Sequence, residues 1–277
     1  MLTDCHFTPE RCRGCSRAPT FRCGPLRAAS SDGGRPAPVR PAALGKVRAV
    51  NVFDNGIALE SAGDRRLRGG TVPEWANMVG PFGGITAATM VRAIELQPDV
   101  LGLPVAVTVN YLAPIADGAF DVDARVVRTN RSNQHWTVEL AQDGDVKATA
   151  TAVFGVRRDS WSDTEPVPPP APAPEDVPLR PAFLDVTWLQ NYDVRFVDGA
   201  APVPGDGESD SSTTTLWVRG NPPWPLDFAS LTAVCDIFYP RVFLRRGGFV
   251  PAGTISFTVY FHADEAQLAE QGDINLL

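Results

Sequence analysis

Between Gly80 and Pro98 a glycine-rich turn, with glycines at 80, 83 and 84, runs into a stretch in which only Arg92, Glu95 and Gln97 are strongly polar. Apolar residues on nearly every side of a 3.6-residue period predict a helix buried around almost its whole circumference. Four runs of period-two patterning follow. Val105, Val107, Val109 and Tyr111 form one set, and Phe120, Val122, Ala124 and Val126 a second. Trp136, Val138 and Leu140 form the third, and Val146, Ala148, Ala150, Ala152 and Phe154 the fourth. Such alternation predicts strands with one face turned to a core. Asp117-Gly118 and Asp143-Gly144 separate successive runs and read as antiparallel turns. A helix followed by a long antiparallel meander is an α+β arrangement, with the sheet curled around the helix.

Ahead of the helix, Val52 to Glu60 contains Asn55-Gly56, a turn former, and then a short strand; Arg65 to Val79 reads as a loop. After the meander the composition shifts to Pro, Ala and Glu from Glu165 to Pro181, as expected of an extended connector. The pattern then restarts. Tyr192 to Val197 and Ser212 to Arg219 are strand-like. Asp227 is placed to cap an apolar helix over Phe228 to Tyr239, ended by Pro240. Ile255, Phe257, Val259 and Phe261 alternate with polar or small partners. Strand, apolar helix and alternating strand thus occur twice, the mark of an internal duplication. The expected organisation is a disordered leader over residues 1–45, a first domain over 46–160, a Pro-rich linker over 161–182 and a second domain over 183–277. The second copy has room for only one strand after its helix. Gln271 to Leu277 reads as the start of a further strand, so the second domain is expected to be truncated or completed by another chain.

The chain has 277 residues, a net charge of −7 and a pI of about 5.0, which argues against a nucleic-acid-binding surface. No run of 18 apolar residues predicts a membrane span, and the charged N-terminus lacks the apolar segment of a signal peptide. A cytoplasmic location is the expectation. Cys5, Cys12, Cys15 and Cys23 include one C-x-x-C, but the spacings match no common zinc finger, and a disordered leader is favoured over a metal site. Cys235 reads as a small hydrophobe.

Hydrolase signatures such as G-x-S-x-G, Walker A and H-E-x-x-H are absent, and three histidines leave little for a His-based triad. Two features survive. Gly83-Gly84 at a helix start leaves backbone N–H groups open to an oxyanion, with tight loop packing as the plainer reading. Asp236 lies in an apolar helical run, where a carboxylate needs a partner or a task. Thr254, at the head of the next strand, could position a water held by Asp236, although strand propensity alone accounts for it.

Together, Phe82-Gly83-Gly84, Ser230-Leu-Thr-Ala-Val-Cys-Asp236 and Gly253-Thr-Ile-Ser-Phe-Thr-Val-Tyr-Phe-His262 resemble the medium-chain acyl-CoA thioesterase II family of double hotdog proteins. The resemblance covers about residues 50 to 275. It implies two tandem hotdog domains, the second incomplete. It also implies an acyl-CoA substrate, no cofactor, no metal, and association through hotdog sheets as a possible homo-oligomer. Carried over residue by residue, Asp236 and Thr254 match the Asp and Thr that activate water, and Phe82, Gly83 and Gly84 lie at the substrate channel. The family's third residue, a Gln, has no match; Gln267 and Gln271 sit in a charged tail. The alternatives are a non-catalytic acyl-CoA or fatty-acyl binding protein, an inactive fragment, or, with less support, a hotdog hydratase, for which neither helix presents a His.

Overall fold

The all-round apolar stretch forms helix α2, Gly83–Glu95, and every residue from Gly84 to Val91 is buried, with Ala93 and Ile94. The computed structural model describes residues 51–179, 186–203, 205–271 and 276. The N-terminal cysteines and the segment expected to be a disordered leader lie outside them. Thr86 and Thr89 within α2 return their hydroxyls to the carbonyls of Phe82 and Ile85, which lets polar residues face the core without unpaired groups.

Around α2 wraps an antiparallel sheet. Its strands are β1 (Glu60–Gly63), β2 (Arg66–Gly70), β3 (Leu103–Tyr111), β4 (Ala119–Thr129), β5 (Asn133–Gln142) and β6 (Asp145–Gly155). A ninth strand in chain order, β9 (Ser256–Tyr260), completes the sheet order β1-β2-β4-β5-β6-β3-β9. The four period-two runs are therefore all strands. On β4, Phe120, Val122 and Ala124 are buried while Asp121 and Arg125 are exposed, and on β5 Trp136, Val138 and Leu140 face inward.

One expected turn holds, and several other local expectations give way. Asp143-Gly144 is a hairpin turn, with φ of 53° and 82°, between the paired strands β5 and β6. Asp117-Gly118 is not one, because β3 and β4 lie apart in the sheet and the chain crosses between them. Gln142 anchors that crossing by accepting from Ala116 N–H and donating to its carbonyl, both at 2.9 Å. Asn55-Gly56 does not turn a hairpin either. It ends a one-turn helix, α1 (Val52–Gly56), capped by the Asn51 side chain on Asp54 N–H. The stretch read as a loop from Arg65 to Val79 holds β2 and a 3-10 turn at Pro73–Trp75.

The second half contributes the hairpin pair β7 (Tyr192–Asp198) and β8 (Thr215–Gly220), helix α3 (Phe228–Cys235), a short α4 (Val242–Arg246), β9 and α5 (Glu265–Gln271). Helix α3 begins with a full capping box, Asp227 accepting from Ser230 N–H and Ser230 Oγ accepting from Asp227 N–H, both at 2.8 Å. It stops at Cys235, short of the expected Tyr239. Asp236 takes φ −98° and ψ 11°, outside helical values. Cys235 is half-buried and packs against the main core. As far as residue 179 the Pro-rich segment carries no strand and one 3-10 turn, Pro174–Asp176, and it is docked: Trp217 Nε1 donates to Pro172 O at 2.9 Å and Arg195 to Val177 O at 2.6 Å. At the far end, Leu276 exchanges two 2.8 Å backbone hydrogen bonds with Val218 of β8.

The halves share two cores. One holds α2, Phe228 and Leu231 of α3, and the inward faces of β3 to β6 and β9. The other is an aromatic cluster of Phe53, Trp75, Phe82, Trp188, Tyr192 and Trp224. Helices α2 and α3 pack directly, and Gly84 sets their approach: a Cβ there would stand 2.6 Å from Ala233 O and 2.5 Å from the Phe82 ring. Because a backbone oxygen cannot move aside, Gly84→Ala is expected to lower stability by about 1–3 kcal/mol, read from urea unfolding. An unchanged midpoint would show that the helices are free to separate. No helix among the described residues is long and apolar enough to cross a membrane.

Candidate active site

Antiparallel packing of α2 and α3 brings the C-terminal end of one to the N-terminal end of the other. There, Asp236 meets Gly83 and Gly84. The α2 N-cap position is Phe82, whose side chain caps nothing, so the first N–H groups of α2 are left for another acceptor. The Asp236 carboxyl lies against that helix start, its Oδ2 in the space beside Gly83, where the Gly84 backbone N–H acts on it. Burial pushes its pKa from 3.8 up to about 7, and the Gly84 N–H opposes the rise. A carboxyl titrating near neutrality can accept a proton and return it.

Gly83 has a different role from Gly84. A Cβ on Gly83 would lie 2.6 Å from Asp236 Oδ2 and 3.4 Å from the Tyr111 hydroxyl. The missing side chain is thus the space that the carboxyl occupies. Tyr111, at the end of β3, donates its hydroxyl to Gly83 O at 2.8 Å and its backbone N–H to Ile255 O at 3.0 Å. Burial first, then the charge of Asp236, raises its pKa well above the usual tyrosine value. Tyr192 behaves likewise, with burial as the main cause and Asp236 as the second.

Of the residues singled out from sequence, Phe82, Gly83, Gly84 and Asp236 come together. Thr254 does not join them by a recorded bond: it is exposed in the loop before β9, which begins at Ser256. Gln267 is used locally, its side chain accepting from Asp264 N–H at 2.9 Å at the start of α5. Tyr111, Tyr192 and Trp188 give no signal in the sequence, because aromatic residues at strand ends, or in a turn leading into a strand, read as core.

The opposite end of the helix pair holds a cavity of about 360 Å³, lined among others by Arg92, Glu95, Asp227, Glu265 and Leu268. Burial raises Glu95 to about 7 there, against the pull of Arg92. A cavity of about 10 Å³ lies on the other side of α2, between Trp75, Ile85, Thr86 and Thr89.

A helix-in-sheet unit met by a second helix, with a near-neutral carboxyl at their junction, defines a double hotdog protein with a candidate acid–base site. The chain belongs to the acyl-CoA thioesterase family. Residues 72–155 match the acyl-CoA thioesterase N-terminal domain and residues 163–273 the C-terminal domain. Among solved structures, a hot dog fold protein of unknown function from Alicyclobacillus acidocaldarius is 48% identical, with TM-score 0.77 over 81% of this chain and 83% of that one. A putative thioesterase II from Thermobifida fusca shares the fold at 19% identity, with TM-score 0.65 over 76% and 82% of the two chains. An acyl-CoA thioesterase II from Mycobacterium marinum does so at 22% identity, with TM-score 0.53 over 67% and 68%. A search of curated protein sequences found no match.

Proposed function

We propose that this chain hydrolyses a fatty acyl-CoA thioester to a free fatty acid and coenzyme A, with Asp236 as general base. The observation that supports this most directly is the carboxyl held against Gly83 and Gly84 with its pKa raised to about 7. Ionised, it accepts a proton from a water molecule as the water oxygen bonds to the thioester carbonyl carbon. The tetrahedral adduct then collapses, the carbon–sulfur bond breaks, and the proton on Asp236 passes to the departing thiolate. Thr254 is proposed as a second contact for the water. It adjoins Ile255, whose carbonyl is bonded to Tyr111, itself anchored on Gly83.

The test is thiol release from saturated acyl-CoA substrates of graded chain length. Turnover that rises with pH and levels off above about 7 supports the reading, because the base must be ionised. Tight binding of acyl-CoA with no thiol release would instead favour an acyl-CoA binding protein. Thr254→Val is expected to lower the rate by about tenfold if the hydroxyl helps to place the water.

A further inference from the structure

Two buried donors in the aromatic cluster ahead of α2 have no partner in the fold. Tyr192, the first residue of β7, is 5% exposed, and its hydroxyl makes no hydrogen bond. Trp188, in the 3-10 turn just before it, is 8% exposed, and its Nε1 makes none either. Among the described residues these are the buried side-chain polar atoms left unpaired. Buried donors are nearly always satisfied, so two orphans in one cluster point to a ligand that supplies the acceptor. Their surroundings place that acceptor at the site. The Trp188 ring stacks on Phe82 at 4.0 Å, immediately ahead of Gly83, and Tyr192 sits edge-on to Trp188 and Trp75. The Tyr192 hydroxyl lies in the field of Asp236 without bonding to it.

We infer that the Tyr192 hydroxyl donates a hydrogen bond to the thioester carbonyl oxygen of the substrate and to the oxyanion that this oxygen becomes. The inference rests on the hydrolysis reading above and adds the electrophilic half of the site. Gly84 N–H, the donor a glycine-led helix offers, faces the Asp236 carboxyl. As water adds, the carbonyl π pair moves onto oxygen, and the hydrogen bond from the Tyr192 hydroxyl to that oxygen strengthens without transfer of its proton. Collapse restores the carbonyl and expels the thiolate. Burial and the Asp236 charge both keep the phenol protonated, as a donor must be.

The experiment compares the full chain with its Tyr192→Phe variant by two readouts. Turnover is expected to fall ~10²-fold in kcat with KM little changed, while the melting temperature holds or rises, since a buried unpaired hydroxyl has been removed. The second readout is the carbonyl stretch of an acyl-CoA ketone analogue, with CH2 in place of the thioester sulfur. It should shift to lower frequency on the unmodified protein and lose most of that shift on the variant. Unchanged kcat with a lowered melting temperature marks a structural hydroxyl and overturns the inference, as does a ketone stretch that ignores the substitution. A Tyr192-dependent shift on a protein that releases no thiol would instead leave the carbonyl donor standing and sink hydrolysis.

Discussion

Asp236→Asn is expected to cut acyl-CoA turnover by ~10³-fold, because the proton acceptor is lost while the shape of the side chain is kept. KM should move little, since the proposed role of the carboxyl is to contact the attacking water rather than the acyl chain. The same substitution should leave the protein more stable above neutral pH. The sign follows from the direction of the change: the folded-state pKa, about 7, lies above the ordinary 3.8. The folded protein therefore binds more protons than the unfolded chain between those values. Stability from this group is present at acid pH and is lost as pH rises toward 7. A rise of that size corresponds to at most ~4 kcal/mol. Denaturant melts of both proteins on either side of neutrality, with thiol release measured in parallel, check both halves. Undiminished turnover in the variant would remove Asp236 from the mechanism. Equal stabilities above neutral pH would show that the carboxylate is comfortable where it sits.

Gly83→Ala is expected to abolish most activity, ~10²-fold or more, with little change in stability. The added methyl would stand 2.6 Å from Asp236 Oδ2, so something must shift, and the movable group is the carboxyl itself. Displacing the base by an ångström misplaces the water it activates. Meanwhile Ala in place of Gly restricts the unfolded chain, worth roughly 0.4–1 kcal/mol, which offsets the crowding. Turnover measured beside thermal unfolding separates this site from Gly84, whose substitution pushes two backbones apart and is read mainly in stability. Full activity in Gly83→Ala would mean that the carboxyl has room to retreat and keep its function.

Much of this is legible in the chain, and the parts that are not share a cause. Helix α2 and strands β3 to β6 announce themselves because burial of a whole helix, or of one sheet face, writes its period into local sequence. Asp236 stands out because a carboxylate in an apolar run requires explanation. What cannot be read is whatever depends on pairing across the fold. Asp117-Gly118 has hairpin chemistry, yet β4 pairs with β2 and β5 rather than β3. Strand β1 is exposed along its whole length and leaves no alternation to find. The apolar pattern carries α3 on to Tyr239, but the helix stops at Cys235 because Asp236 turns toward a backbone N–H contributed by the other half. Tyr192 is the clearest case: its hydroxyl gains meaning only from Asp236, which no spacing along the chain could bring beside it.

The different ways in which the two helices begin break the equivalence of the two ends of the pair. A duplicated helix-in-sheet unit would offer two like junctions, each with one helix start facing one helix end. Here the start of α3 is closed by its own Asp227 and Ser230, and its leading N–H groups have nothing to offer a visitor. The start of α2 is left open behind Phe82, and the carboxylate from α3 is drawn to it. One copy has kept the socket and the other has supplied the plug. Covalent fusion allows this division of labour, because two halves of one chain meet in fixed one-to-one ratio and each is free to lose what the other provides.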